Sequence, residues 1–168
     1  YLVWVPVSLA ILTKGAGGLI APLVVLVALI VDQRVKSAIQ SRHFWLGLIL
    51  AIVLAAPWHA TMYAWYGNAF LDEYIGYHVI ARATRTLEGH PSSYLYYIGK
   101  IIDGFFPWAL LLPFALIAGA KRSVKGDSSS RILVLMGILV FGLYTIVPTR
   151  RPWYIVPVYP AFALLIAV

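Results

Sequence analysis

The stretch that decides the fold class runs from residue 44 to residue 66 and reads FWLGLILAIVLAAPWHATMYAWY. It contains no Asp, Glu, Lys or Arg, and as a helix it is long enough to cross the roughly 30 Å hydrocarbon core of a bilayer. Trp58 and Trp65 lie toward its end, as is typical of aromatic side chains at the membrane–water interface. The stretch predicts a transmembrane helix.

The whole chain shares this character, with 62% hydrophobic residues, 11% charged residues and a mean hydropathy of +0.87. Soluble domains are about one quarter charged. We therefore expect an all-α fold, a polytopic transmembrane helix bundle. The remaining apolar segments are expected at about 1–12, 19–31, 105–120, 132–147 and 153–168. Because the chain opens at Tyr1 and stops at Val168 inside apolar runs, we expect a single transmembrane domain that is a piece of a longer protein.

The composition also restricts the partners. The formal net charge is +7, but the basic residues sit beside apolar segments and form no soluble basic domain. Anionic membrane lipids are therefore the expected partners, and nucleic acid is not. The chain has no cysteine, which excludes a thiolate nucleophile or a thiolate metal site within it.

The loops predict an orientation. Residues 32–43 and 121–131 carry three and four Lys or Arg in two short loops, which the positive-inside rule places in the cytoplasm. The longest polar segment, residues 67–104, then faces outward. It is expected to be a helical extracytoplasmic loop and the seat of function, because polar chemistry between apolar helices is usually functional.

Within that loop, Asn68 can cap a helix on which Tyr74, His78, Arg82 and Arg85 follow at steps of four, four and three. Two arginines on one face can grip a phosphate, and the imidazole and phenol can add hydrogen bonds. The spacing equally fits a helix whose arginines meet ordinary phospholipid headgroups. A second, amphipathic helix is expected from about residue 94 to 105, along the membrane surface.

Two other outward turns carry cations, Lys14 after the first apolar segment and Arg150-Arg151 before the last. Such cations can simply anchor helix ends in the headgroup layer. Three cationic turns on the outer side, where Lys and Arg are normally scarce, favour a shared anionic ligand instead. His59, His78, His90 and the nearby carboxylates allow a divalent metal, but their spacing matches no metal-binding motif.

Several short motifs together resemble one family in order and spacing. These are Thr13-Lys14-Gly15, Pro57-Trp58, Tyr66-Gly67 with Phe70, His78 and Arg82, His90-Pro91, Tyr96-Tyr97, Phe106-Pro107-Trp108, and Arg151-Pro152-Trp153-Tyr154 with Pro157 and Pro160. The chain resembles the polytopic glycosyltransferases of the GT-C type that use lipid-linked sugars. These include the dolichyl-phosphate-mannose-protein mannosyltransferases and, closer here, the bacterial aminoarabinose-to-lipid A transferases.

The resemblance implies an inner-membrane enzyme that takes a sugar from a polyprenyl phosphate and attaches it to a lipid A, glycan or protein acceptor on the extracytoplasmic side. It implies that Lys14 reaches the donor phosphate, and that His78, Arg82 and Arg85, with His90 nearby, meet phosphate or sugar. Arg150 or Arg151 would close the pocket with Tyr154. A cofactor is not required, although a divalent metal would be compatible.

The chain departs from the family pattern at two points. The acidic motif expected to supply the catalytic carboxylate would lie upstream of Tyr1, so that the fragment alone is expected to be inactive. Ala16 also stands where a proline usually follows the Lys-Gly pair. A transporter or flippase of a lipid-linked anion is the alternative, although its ionisable residues should lie near the bilayer midplane rather than at helix ends.

Overall fold

A computed structural model describes residues 3–87 and 93–167 of the chain. Those residues form helices joined by short turns, with no β-strand among them. The predicted all-α class is confirmed. The chain divides into two compact units, Tyr1–Val79 and Ile80–Val168.

The first unit is built on two packed helices. Helix α1 (Trp4–Lys14) lies against α4 (Arg42–Tyr66), and helices α2 (Ile20–Val31) and α3 (Val35–Gln40) connect them. Gly47 makes this contact possible, because a Cβ there would collide with the indole of Trp4. Ser8 is fully buried in the same contact and donates a hydrogen bond to the Trp4 carbonyl at 2.7 Å.

A glycine turn ends α1. Gly15 has φ +58°, which favours glycine, and residues Gly15–Leu19 form a 3₁₀ helix. A Cβ on Gly18 would lie 2.5 Å from the carbonyl carbon of Ala10. Residues eight apart in a straight helix would be about 12 Å apart along its axis, so that the chain folds back here.

After α4, a short helix α5 (Asn68–Leu71) leads into a π-helix, Asp72–Ala81. Here the structure differs from the sequence expectation twice. Gly67, not Asn68, occupies the N-cap position of α5, and no side chain caps it. The predicted stripe of Tyr74, His78, Arg82 and Arg85 assumed the spacing of an α-helix. In a π-helix the backbone hydrogen bonds join residues five apart, so that side chains four apart are no longer aligned in the same way.

The second unit contains α6 (Arg82–Thr84), α7 (Tyr96–Phe105), α8 (Leu112–Val124), α9 (Ser128–Ile146) and α10 (Val158–Ala167). Helices α8, α9 and α10 pack on one another. Two glycines permit the close approach: a Cβ at Gly119 would lie 2.7 Å from Leu165, and one at Gly137 would lie 2.8 Å from Phe162.

The apolar helix expected at 105–120 begins later than expected. Helix α7 ends at Phe105, a cis peptide precedes Pro107, and a 3₁₀ turn follows at Trp108–Leu110. Helix α8 then starts at Leu112 with Pro113 in its first turn. Pro113 suits the start of this helix, since a proline needs no N–H partner in the first turn.

Three helical stretches in the described part of the chain are long and apolar enough to cross a membrane. Two are the single helices Arg42–Tyr66 and Ser128–Ile146. The third, Trp4–Val31, has the required total length and composition, but the chain folds back within it at the glycine turn. Val158–Ala167 is a shorter apolar helix. By length and composition, these helices are those of a multi-pass membrane protein.

Candidate functional site

In the second unit, one buried hydroxyl fastens the segment after α6 to the turn after α9. Thr149 is 1% exposed. Its Oγ1 donates to the Arg85 carbonyl at 2.7 Å and accepts from the Leu87 N–H at 3.2 Å. The turn at Thr149 thereby fixes the backbone of residues 85–87, three residues from Arg82.

Arg82 is held at its guanidinium by a tyrosine that follows the same turn. Its Nη1 donates to the Tyr154 hydroxyl at 3.2 Å, and Arg82 is half-buried. The ring of Tyr154 stacks on Tyr144 of α9, with centroids 4.7 Å apart. The tyrosine pair limits where the planar guanidinium can lie, and this orients the arginine for an anionic ligand such as a phosphate.

The turn also receives a buried tyrosine from α7. Tyr97 is fully buried, and its hydroxyl donates to the Arg151 carbonyl at 3.3 Å. Burial raises the pKa of Tyr97 well above its usual value, so that the hydroxyl stays protonated and remains a donor. The guanidinium of Arg151 lies 5.2 Å from the ring centroid of Trp153, a cation–π contact.

The neighbouring arginines differ in exposure. Arg150 is only 2% exposed; its Nη2 donates to the Thr145 carbonyl at 2.7 Å, and its guanidinium lies 5.2 Å from the centroid of the Tyr94 ring. These contacts tie the turn to the end of α9. The Arg85 side chain is exposed, and the backbone carbonyl of this residue contacts Thr149.

In the first unit, Lys14 is exposed at the last position of α1, immediately before the glycine turn. His78 pairs with Glu73, with 3.3 Å between Nε2 and Oε1. The two residues are five apart, which is the spacing that a π-helix brings together. Both side chains are largely exposed.

Among the predicted residues of the second unit, the structure joins Arg82 to Tyr154 directly. Thr149 joins the backbone of Arg85 to the turn that also contains Arg151. The prediction for His90 lies outside the described residues. That Lys14 and Arg82 share a ligand stays a prediction. Within 3–87 and 93–167, no group of three or more His, Asp or Glu side chains could hold a metal ion.

Sequence reasoning missed Thr149, Tyr144 and the structural role of Tyr97. A threonine between a proline and an arginine carries no local signal, because its two partners are more than 60 residues away in sequence. Tyr97 was assigned to the surface-lying amphipathic helix with the other aromatic residues. Periodicity alone did not predict that the Tyr97 side chain is completely buried.

The fold is similar to that of a solved enzyme. The crystal structure of ArnT from Cupriavidus metallidurans bound to undecaprenyl phosphate matches 97% of the chain with a TM-score of 0.82 and 27% sequence identity. The chain has the GT-C fold of ArnT. The resemblance predicted from the sequence is confirmed.

Curated relatives agree with this likeness to ArnT. The chain is 27% identical, over 95% of its length, to the undecaprenyl phosphate-alpha-4-amino-4-deoxy-L-arabinose arabinosyl transferase of Pectobacterium carotovorum. It is 28% identical, over 98% of its length, to an enzyme of that name in Pseudomonas fluorescens, and 28% identical, over 99%, to an uncharacterized protein of Aquifex aeolicus. No protein-family model matches the chain.

The chain spans less than a third of the length of these relatives, covering 32%, 28% and 30% of the Aquifex, Pectobacterium and Pseudomonas proteins, and 29% of the ArnT structure. Because 97% of the chain is matched, the match includes both units.

Proposed function

We propose that the full-length protein is a membrane glycosyltransferase that transfers a sugar from a polyprenyl-phosphate donor to an acceptor. The observation that carries this proposal is the likeness of 97% of the chain to ArnT bound to undecaprenyl phosphate. The names of the curated relatives favour a 4-aminoarabinose donor sugar, and hence a pentosyltransferase. Lipid A is the acceptor that the sequence resemblance implies.

The proposed chemistry assigns Arg82 to the donor phosphate. When the sugar leaves its carrier, the bond between the anomeric carbon and the phosphate oxygen breaks, and the bonding pair stays with the phosphate. A preorganised guanidinium stabilises this negative charge where it develops. Arg82 suits the role because Tyr154, stacked on Tyr144, already fixes its guanidinium. A guanidinium has five N–H donors and can serve a tyrosine and a phosphate together.

The proposed location is the inner membrane, with the site on the extracytoplasmic side. Support comes from the two short basic loops, 32–43 and 121–131, which the positive-inside rule assigns to the cytoplasm. The polar segment 67–104, which contains Arg82, then lies on the opposite side of the bilayer. A lipid-linked sugar donor and a lipid acceptor are both membrane residents and can meet there.

The experiment is complementation with the full-length protein in a Gram-negative strain that makes the lipid-linked aminoarabinose but lacks its own transferase. Mass spectrometry of lipid A measures the added sugar. Wild type is expected to restore the modified lipid A, and Arg82→Ala is expected to lower transfer about 100-fold or more, as removal of a charge-stabilising donor does.

Arg34→Ala is the matched control, because Arg34 is an exposed arginine in the 32–43 loop. It should transfer as wild type does, with equal amounts of each protein in the membrane fraction. Wild-type transfer by Arg82→Ala would contradict the assignment of Arg82. A wild-type protein that carries the donor lipid across the bilayer and leaves its sugar attached would instead be a flippase.

A further inference from the structure

A histidine and a tyrosine of the first unit form a hydrogen-bonded pair whose members lie on different helices. His59 is in α4 and Tyr74 is in the π-helix, and 3.0 Å separates His59 Nε2 from the Tyr74 hydroxyl. The other ring nitrogen, Nδ1, lies 2.9 Å from the Ala55 carbonyl. Both ring nitrogens of His59 are therefore engaged.

The partners determine which atom donates in each bond. A carbonyl oxygen can only accept, so that Nδ1 of His59 carries the hydrogen and donates to Ala55. In the neutral imidazole Nε2 then accepts, and the Tyr74 hydroxyl donates to it. Burial raises the pKa of Tyr74, which keeps that hydroxyl protonated. The pair has one defined direction, from Tyr74 to His59 to Ala55.

Tyr74 in turn packs against the glycine turn beside Lys14. A Cβ added to Gly15 would lie 3.2 Å from the Tyr74 hydroxyl and 3.5 Å from its Cζ, so that the tyrosine occupies the space that a side chain at position 15 would need. Gly15 has φ +58°, a conformation that side chains rarely adopt. The ring of Tyr74 is itself stacked on Phe70, with centroids 5.1 Å apart.

We propose that Tyr74 and His59 are positioning residues that set the place of the Lys14 ammonium for the donor phosphate. The Lys14 side chain is exposed, and the glycine turn follows it directly. The conformation of that turn therefore sets the position of the Lys14 backbone. Tyr74 supports that turn from the π-helix, and His59 fixes the tyrosine to α4. This inference rests on the proposed function, because it takes the donor lipid phosphate as the ligand of Lys14.

The test measures binding of undecaprenyl phosphate to the full-length protein in nanodiscs. Tyr74→Phe removes only the hydroxyl and keeps the ring against Phe70. We expect the Kd to rise about three- to tenfold, the effect of one lost hydrogen bond. In the transfer reaction, the donor KM should rise by a similar factor while kcat at saturating donor changes little. Tyr63→Phe, at an exposed tyrosine of α4, is the matched control and should bind as wild type does.

Two variants of His59 test the direction of the hydrogen bond. His59→Leu cannot accept from Tyr74 and should raise the Kd as Tyr74→Phe does. His59→Gln offers a side-chain carbonyl that can accept from the hydroxyl, and should keep more of the affinity. Equal losses in both His59 variants, with unchanged melting temperatures, would contradict the pair as a positioning device.

A double-mutant cycle with Lys14→Ala tests whether the pair acts through the lysine. Once Lys14 is removed, Tyr74→Phe should have no further effect on the Kd. Two results would overturn the positioning role and leave the proposed function intact. In the first, Tyr74→Phe raises the Kd equally with and without Lys14. In the second, Tyr74→Phe binds as wild type does while Lys14→Ala binds weakly. Absence of undecaprenyl phosphate binding by the wild-type protein would overturn both.

Discussion

Thr149 is the residue whose single hydroxyl joins two distant segments of the second unit. It donates to the Arg85 carbonyl and accepts from the Leu87 N–H, and it is 1% exposed. Its position between the Arg82 helix and the Tyr154 turn makes it a structural support of the candidate phosphate site.

We predict that Thr149→Val destabilises the protein by about 1–3 kcal/mol, because it leaves two backbone groups without their partner at nearly unchanged side-chain volume. The measurement is thermal unfolding of the full-length protein in detergent. Thr61→Val is the matched control: Thr61 is exposed, and its hydroxyl donates to the Pro57 carbonyl one turn away in α4. Equal melting temperatures for the two variants would show that the Thr149 bonds carry no stability.

At the residue scale, charge and aromatic content were the informative signals. Arg82 and Arg151 were predicted from their charge and position, and Tyr154 from the family resemblance; the structure joins Arg82 to Tyr154, which follows Arg151 in the same turn. Arg150 was predicted with them, yet its guanidinium is buried against Thr145 and Tyr94. Sequence could not separate the two adjacent arginines, since burial depends on partners far along the chain.

The π-helix Asp72–Ala81 is the element for which sequence patterns were least sufficient. Periodicity predicted an α-helix here, because steps of three and four place Tyr74, His78 and Arg82 on one face. The π-helix instead pairs His78 with Glu73, five residues away. In this π-helix Tyr74 also contacts His59 and the glycine turn at Gly15, contacts that the predicted stripe did not indicate.

The turn between α8 and α9 is an element whose stability should depend on pH. Asp127 caps α9 by accepting from the Ser129 N–H at 3.0 Å, and it accepts from the Ser130 hydroxyl at 2.6 Å. The Ser130 hydrogen bond is the main reason why the pKa of Asp127 is lowered. The charged form is thus favoured in the folded state, which stabilises the fold above the unfolded pKa of about 4.

We predict that Asp127→Ala lowers the melting temperature at pH 7, because the helix loses its cap. The difference in melting temperature between the variant and wild type should narrow as the pH falls below about 4, because the Asp127 carboxylate of the wild type then becomes protonated. The measurement is thermal unfolding of both proteins across this range. Asp72→Ala, at an exposed carboxylate, serves as the control variant. A difference that stays constant with pH would contradict a contribution from the ionised carboxylate.

For the whole molecule, hydropathy was sufficient for the fold class. Long apolar runs without charge predicted transmembrane helices, and Arg42–Tyr66 and Ser128–Ile146 have the required length. Helix ends were less predictable where two prolines could each begin a helix: the apolar helix expected from Phe105 begins at Leu112. The sidedness of the loops rests on charge counts and stays a prediction.

The central claim is that the full-length protein moves a sugar from a polyprenyl phosphate to a lipid acceptor. The most direct measurement uses the purified full-length protein in proteoliposomes that contain lipid A and undecaprenyl phosphate carrying isotopically labelled aminoarabinose. The proposal predicts that label appears in lipid A as free undecaprenyl phosphate accumulates. Label that stays on the undecaprenyl carrier, with folded protein present, would contradict it.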